Sequence, residues 1–320
     1  MKKYQECNPL VVIIGPTAVG KTEISLRVAE RLNGEIVSAD SRLFYRGMDI
    51  GTAKPSREDQ SLVPHHFVDV AEPDEDWSLA VYLPKSIEVI RNIHKRGNLP
   101  FLVGGTGQYI QAVVRGWDLP GIKPDLRLRE ILRQWAEQIG VDGIRDRLAE
   151  LDPEAASGID GPNLRRMIRA MEVILSSGKK FSEQKKAHGS QFQVFQIGLS
   201  RTREDLYRRI DLRVDQMVER GLVDEVQALL DKGYMAELSA LSAIGYKQII
   251  KFLAGEISKD EAVRLIKSKS HKYVRQQANW FQHDDPDIHW FSAEPDPSEK
   301  IINEIQHFLS HICYTRNSHL

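Results

Sequence analysis

The sequence predicts an α/β fold: a parallel sheet core with an inserted all-helical domain and a helical C-terminal region. Three observations lead there. Leu10-Val11-Val12-Ile13-Ile14 is a continuous apolar run, the pattern of a strand buried on both faces of a parallel sheet. From there to about Val114, strand-like and helix-like segments alternate, as in βαβ units. Helical periodicity then takes over, and a strand-like segment returns at Phe192, so the helices read as an insertion.

The elements follow in order. Ile24, Val28 and Leu32 have helical spacing, and Asn33-Gly34 stops the helix. Glu35 to Asp40 reads as a second strand. Pro100-Phe101-Leu102-Val103 reads as a third, running into Gly104-Gly105-Thr106-Gly107 and a helix from Gln108 to Val114. Trp117 to Pro124, with two prolines, is a linker. Helical patterns then extend to about Lys186; in one, Leu164, Met167, Ile168, Met171, Ile174 and Leu175 share an apolar face and Gly178 ends it. Phe192 to Leu199 alternates like a strand. Everything beyond Ser200 is expected to be helical, including Ile302, Ile305, Phe308, Leu309 and Ile312. The expected division is a core at 1–117, a helical insertion at 118–190 and completion of the core at 191–320.

Composition bounds the function. The chain has 320 residues, 41% hydrophobic and 28% charged, which excludes a disordered chain or a fibre. Its apolar runs are too short to cross a bilayer. Polar residues follow Met1-Lys2-Lys3, so no secretory leader is expected. Cys7 and Cys313 have no metal-ligand spacing and are expected to be free thiols. A cytoplasmic monomer without membrane contact is the matching expectation. The net charge of −1 hides a local imbalance. Ala262 to His283 contains Arg264, Lys267, Lys269, Lys272 and Arg275 and no acid; Asp284, Asp285, Asp287, Glu294, Asp296 and Glu299 then reverse the sign. Such a surface suits a polyanion.

Gly15-Pro16-Thr17-Ala18-Val19-Gly20-Lys21-Thr22 matches the P-loop pattern, between a buried strand and a helix, and makes the core P-loop NTPase-like. Its glycines let backbone N–H groups converge on phosphate oxygens, and the helix N-terminus adds positive potential. Lys21 supplies a cation and the Thr22 hydroxyl suits Mg²⁺. The loop therefore takes a di- or triphosphate, and the motif does not say which. Asp40 falls on the same rim as either a cap for the next segment or a general base. Thr106 falls there too, in a turn whose glycines suit either ligand approach or simple chain reversal. His65-His66 is a poor ligand pair, because adjacent strand residues point to opposite faces.

Arg165, Arg166 and Arg169 cluster opposite the apolar face of their helix. Arg264, Lys267, His271 and Arg275 form a second helical stripe, with Tyr273, Trp280 and Phe281 nearby to stack on bases or fill the core. Each cluster alone is an ordinary solvated face; two together favour a nucleic-acid partner.

One series of motifs goes further. The P-loop, Ser38-Ala39-Asp40-Ser41, and Tyr45 through Met48-Asp49-Ile50-Gly51-Thr52-Ala53-Lys54-Pro55 resemble the tRNA dimethylallyltransferase family. So do Pro64-His65-His66, Leu102 to Gly107, Tyr109, Arg165-Arg166, Arg169 to Val173 and Gly245-Tyr246, over roughly residues 10 to 283. The resemblance implies transfer of a dimethylallyl group from dimethylallyl diphosphate to N6 of the adenosine 3′ to the anticodon, with the tRNA anticodon stem-loop as partner and Mg²⁺ as cofactor. It implies diphosphate on Gly15 to Thr22, Asp40 as base, and Thr106 beside the reacting centre. It places tRNA contacts at Asp40, Ser41, Arg42, Leu43, Thr106, Arg129 and Arg165 to Arg169, which includes Met167 and Ile168. Where the family often has Lys-Arg-Gln, this chain has Arg275-Gln276-Gln277. A small-molecule kinase, or a nucleotide-regulated RNA-binding module, would use the same loop differently. Turnover of ATP without an RNA adduct would favour the kinase.

Overall fold

The computed structural model describes residues 4, 7–119, 125–184 and 189–314. Met1-Lys2-Lys3, the Pro120 to Pro124 half of the linker, Lys185-Lys186 and the side chain of Cys313 lie outside the described residues. The chain divides into two compact units, 1–114 with 190–320, and 115–189.

The first unit is built on six strands: β1 (Pro9–Ile14), β2 (Gly34–Ser38), β3 (His65–His66), β4 (Leu99–Gly104), β5 (Gln193–Ser200) and β6 (Ile288–Ser292). Their order is β3-β2-β4-β1-β5-β6 and every pairing is parallel. β1 lies between β4 and β5 and is buried along its whole length, as its unbroken apolar run predicts. The carboxyl ends of β1, β2 and β4 carry the P-loop, the Asp40 segment and the second glycine turn onto one rim.

Three details depart from expectation. β2 stops at Ser38, so Asp40 stands just beyond the strand. β5 does not alternate: Phe195 to Leu199 are all buried, as in a parallel-sheet strand covered on both faces. The region after Ser200 is not wholly helical, since Ile288–Ser292 forms the edge strand β6. A further departure concerns Cys7, expected to be a free thiol, which is disulfide-bonded. No helix of the described residues is long and apolar enough to cross a membrane.

Aromatic packing fixes the segment after Asp40. Phe44 stacks on Tyr82 at 5.5 Å, and Tyr82 meets Tyr109 edge-on at 4.7 Å. The buried Tyr82 hydroxyl donates to Ser38 O at 3.0 Å, tying this cluster to the end of β2.

The second unit is all helical: Leu126–Leu151, Pro153–Ser157, Leu164–Ser177 and Phe181–Gln184. Gly140, at φ 77°, breaks the first of these. Gly178, at φ 68°, ends the third where the sequence predicted. Leu132, Ile144, Leu148, Met167, Ile168 and Met171 are among the buried residues of the unit's core.

Candidate active site

The P-loop leaves β1 through Gly15. Its φ is 151°, and a Cβ there would lie 2.7 Å from Leu199 O, so only glycine fits. Gly20, at φ 111°, caps the Lys21–Arg31 helix and has no side chain to offer. The first-turn N–H groups of that helix are thus open to an anion. Two arginines from far along the chain hold the loop from outside. Arg209 Nε donates to Ala18 O (2.8 Å) and Arg201 Nε to Val19 O (2.9 Å). In a trans peptide the N–H points opposite to its carbonyl, so gripping Val19 O turns the Gly20 N–H away from Arg201.

Lys21 folds back on the loop, its Nζ donating to Gly15 O (2.9 Å) and Pro16 O (2.8 Å). Burial brings its ammonium down to about 8; Asp40 opposes this and Arg213 adds to it. Burial also lowers Arg213, again against Asp40. Two desolvated cations therefore sit near one carboxylate. Asp40 Oδ1 accepts the Arg42 N–H at 3.1 Å, the local turn a cap would make. Among the described residues, Oδ2 accepts no hydrogen bond. The cap and the base of the sequence reading are compatible, one oxygen for each.

Thr106 is brought to Asp40. Its N–H reaches Ala39 O at 3.3 Å and its Oγ1 accepts the Ser41 N–H at 3.3 Å. Arg42 Nη1 donates to Ser239 O at 2.9 Å, and Leu43 is half-buried. Tyr273 closes the group. Desolvation pushes its hydroxyl up to about 12; the Asp40 charge adds to this, while hydrogen bonding to Gln277 and Thr106 opposes it. Of the other aromatic candidates, Phe281 is core and Trp280 is exposed.

The segment from Met48 to Pro55 is a preformed brace. The Glu225 carboxylate accepts three successive N–H groups, from Asp49 (2.9 Å), Ile50 (2.7 Å) and Gly51 (3.1 Å). The Tyr246 hydroxyl adds a fourth bond to Glu225 at 2.5 Å. Lys54 donates to Tyr45 O at 2.9 Å and pairs with Asp49 and Asp69. Thr52 O then accepts from Arg213 Nη2 at 3.3 Å, linking this brace to the cations of the loop.

The basic residues of the helical unit are less uniform than their spacing predicts. Arg165 and Arg166 are exposed. Arg129 and Arg169 instead clasp Glu172, which is 0% exposed: Arg129 Nε and Nη2 at 2.9 Å each, Arg169 Nη1 at 2.6 Å. Asp125 N–H completes the set at 2.7 Å. Met167 (0% exposed) and Ile168 (5%) correct the sequence reading: their side chains fill the core and offer a partner no surface.

The second stripe is also divided. Lys267 pairs with Asp215 (2.7 Å) and His271 approaches Asp211 (2.9 Å) while stacking on Tyr207. Arg275 donates to the Tyr207 hydroxyl (2.9 Å), and Arg264 pairs with Glu261 (2.6 Å). Lys267 and His271 are thus contacts with the Arg203–Glu219 helix, while Arg264 pairs along its own helix and Arg275, among the described residues, meets only a hydroxyl.

Arg201, Arg209 and Arg213 were not singled out by the sequence, and Gln277 entered it only within Arg275-Gln276-Gln277. Their signal was weak, no more than the i, i+4 spacing of Arg209 and Arg213.

The family model described as IPP transferase matches residues 43–284, more than half of the chain. The chain belongs to this family. The tRNA dimethylallyltransferase of Roseiflexus sp. (strain RS-1) is 47% identical over 274 residues, 86% of this chain and 90% of that protein. That of Dehalococcoides mccartyi is 43% identical, covering 94% and 93%. Among solved structures, the tRNA isopentenylpyrophosphate transferase of Bacillus halodurans superposes with a TM-score of 0.72 at 40% identity, covering 97% of this chain and 99% of that one. A eukaryotic dimethylallyltransferase crystallised acting on tRNA gives 0.81 at 26% identity, covering 95% and 80%. The family match starts after the P-loop and Asp40, so the geometry of that loop is an independent observation.

Proposed function

We propose that this chain transfers the dimethylallyl group of dimethylallyl diphosphate to N6 of the adenosine 3′ to the anticodon in tRNA and releases diphosphate. The observation that carries this reading is the carboxylate of Asp40 beside the two desolvated cations of an open anion cradle. Family membership and the names of the relatives support it.

In this reading the diphosphate lies on the amides of the loop and on Lys21 and Arg213. Their charge, already desolvated, stabilises the negative charge that grows on the leaving oxygen. The allylic carbon–oxygen bond breaks, the adenine N6 bonds to that carbon, and the N6 proton passes to Asp40. N6 is a weak nucleophile because its lone pair is shared with the ring, so a fixed acceptor for its proton matters. Thr106 and Tyr273 border the space in which the base arrives. Bringing it there requires leaving the anticodon-loop stack, at a cost of a few kcal/mol. Arg165 and Arg166, exposed on the helical unit, offer contacts to the RNA backbone that offset this cost.

Among the described residues no cluster of three acids, histidines or cysteines is placed to hold a metal. The donors present fit an ion that arrives with the substrate: the exposed Thr22 hydroxyl offers one ligand and the diphosphate oxygens others. Mg²⁺ bound there would add charge stabilisation to the leaving diphosphate.

The test is the mass of an anticodon stem-loop incubated with dimethylallyl diphosphate and without ATP. The expected result is one dimethylallyl adduct at the target adenosine. Asp40→Asn lowers the single-turnover rate by about 10²–10⁴-fold while diphosphate binding persists. An unmodified RNA, or near-normal turnover by Asp40→Asn, refutes the corresponding part.

A further inference from the structure

Arg213, on the Arg203–Glu219 helix, is a desolvated cation, and among the described residues no carboxylate forms an ion pair with it. The acceptor that the structure gives its guanidinium is Thr52 O, which takes Nη2 at 3.3 Å. A guanidinium is a rigid planar fork, so one fixed acceptor sets the direction of its remaining N–H groups. The place of Thr52 O therefore decides how Arg213 meets an anion in the cradle.

That carbonyl is aimed by the turn around it. Ala53 N–H donates back to Ile50 O and Lys54 N–H to Asp49 O, each at 3.0 Å. In a trans peptide the carbonyl points opposite to the N–H, so a Thr52–Ala53 peptide whose N–H turns inward presents Thr52 O outward, to Arg213. This arrangement holds Ala53 at φ 48°, a left-handed conformation that residues with a Cβ rarely take. Such a backbone persists only where its surroundings over-determine it. Glu225, on the Leu222–Asp231 helix, supplies that constraint. Its Oε2 accepts the Asp49 and Ile50 N–H groups, and its Oε1 accepts the Gly51 N–H and the Tyr246 hydroxyl. All four donors are neutral, and among the described residues no lysine or arginine forms an ion pair with Glu225. Gly51 belongs to the fit: a Cβ there would fall 2.5 Å from Tyr246 Cε2, so its absence lets the buried ring lie against the turn and reach Glu225.

We infer that Glu225 is a positioning residue for the anion cradle: it holds the turn at residues 49–54 so that Thr52 O directs Arg213 at the diphosphate. The inference rests on the reading of the loop as a diphosphate site with Arg213 among its cations. An amide in place of the carboxylate turns its own N–H groups towards two of the four donors, loses those two bonds and releases the turn.

The experiment is a double-mutant cycle, read by calorimetric titration of the full chain with inorganic diphosphate and Mg²⁺ at pH 7. Arg213→Ala weakens diphosphate at least tenfold, and so does Glu225→Gln. Adding Glu225→Gln to Arg213→Ala weakens it less than twofold further, because there is no guanidinium left to direct. Tyr246→Phe removes one bond to Glu225, gives a smaller loss of at least threefold that also vanishes in the Arg213→Ala background, and serves if Glu225→Gln does not fold. Losses that multiply in the double variant overturn the inference and make Glu225 a general brace of the fold. Unchanged diphosphate affinity in both Glu225→Gln and Tyr246→Phe overturns it while the diphosphate site stands. An Arg213→Ala variant that binds as wild type removes Arg213 from the cradle and the inference with it, and wild type that binds no diphosphate sinks the site reading itself.

Discussion

Loading the loop with an organic diphosphate changes the protonation of Lys21, and the size of the change follows from the structure. Burial has brought the ammonium from 10.5 to about 8. That gap corresponds to about 3 kcal/mol by which the site disfavours the charged form. A diphosphate placed against Nζ favours that form and raises the value again. Free protein at pH 8 has Lys21 about half neutral, so binding takes up about half a proton there and almost none at pH 6. The affinity falls about tenfold from pH 7 to pH 9, as the pH passes the free-state value while the bound lysine stays charged. Calorimetry with dimethylallyl diphosphate, without RNA, in two buffers of different ionisation enthalpy reads the proton number directly. Lys21→Arg, charged throughout, binds without that uptake. No proton uptake by wild type at pH 8, or the same uptake by Lys21→Arg, refutes the reasoning.

Replacing both Arg165 and Arg166 with Ala weakens RNA binding and makes its salt slope shallower by roughly two, one for each lost phosphate contact, as filter binding over a salt series reads. Arg169→Ala behaves differently: it removes a partner of the buried Glu172 and costs about 1–3 kcal/mol in thermal or denaturant melts. Glu35 makes a further prediction. It is buried, and despite that burial its bonds to His66, Arg96 and Asn98 hold its carboxyl down at about 2, against an ordinary 4.5. Its contribution, up to about 3 kcal/mol, is complete above pH 4.5 and fades as the pH falls towards 2. Glu35→Gln therefore destabilises at pH 7, and its deficit narrows in denaturant melts below pH 4.5; a deficit that widens on acidification contradicts this.

What the sequence revealed was whatever lies contiguous in the chain. The P-loop was legible because eight successive residues carry it, and β1 because no polar residue interrupts it. The Leu164–Ser177 helix was legible from its periodicity and its closing glycine. β6 was not: five residues at a sheet edge, with only Ile288 buried, carry too little pattern. The Arg264 to Arg275 stripe was legible only in part, because charge counted along one helix says nothing of the helix packed against it, which brings Asp215 to Lys267 and Asp211 to His271. Arg169 was read as a surface cation, but Glu172, three residues on, turns inward and takes it along. Gln277 and Tyr273 reach the site only through tertiary packing, so no local spacing marks them.

The grip of Arg201 and Arg209 on Val19 and Ala18 spans 182 and 191 residues of chain. During synthesis the phosphate loop therefore leaves the ribosome long before the residues that shape it. A nascent chain that ends before Arg201 holds the whole motif and lacks both clamps. Contacts this distant in sequence form late, so competence for phosphate arrives with the last third of the polypeptide and not with the motif that announces it.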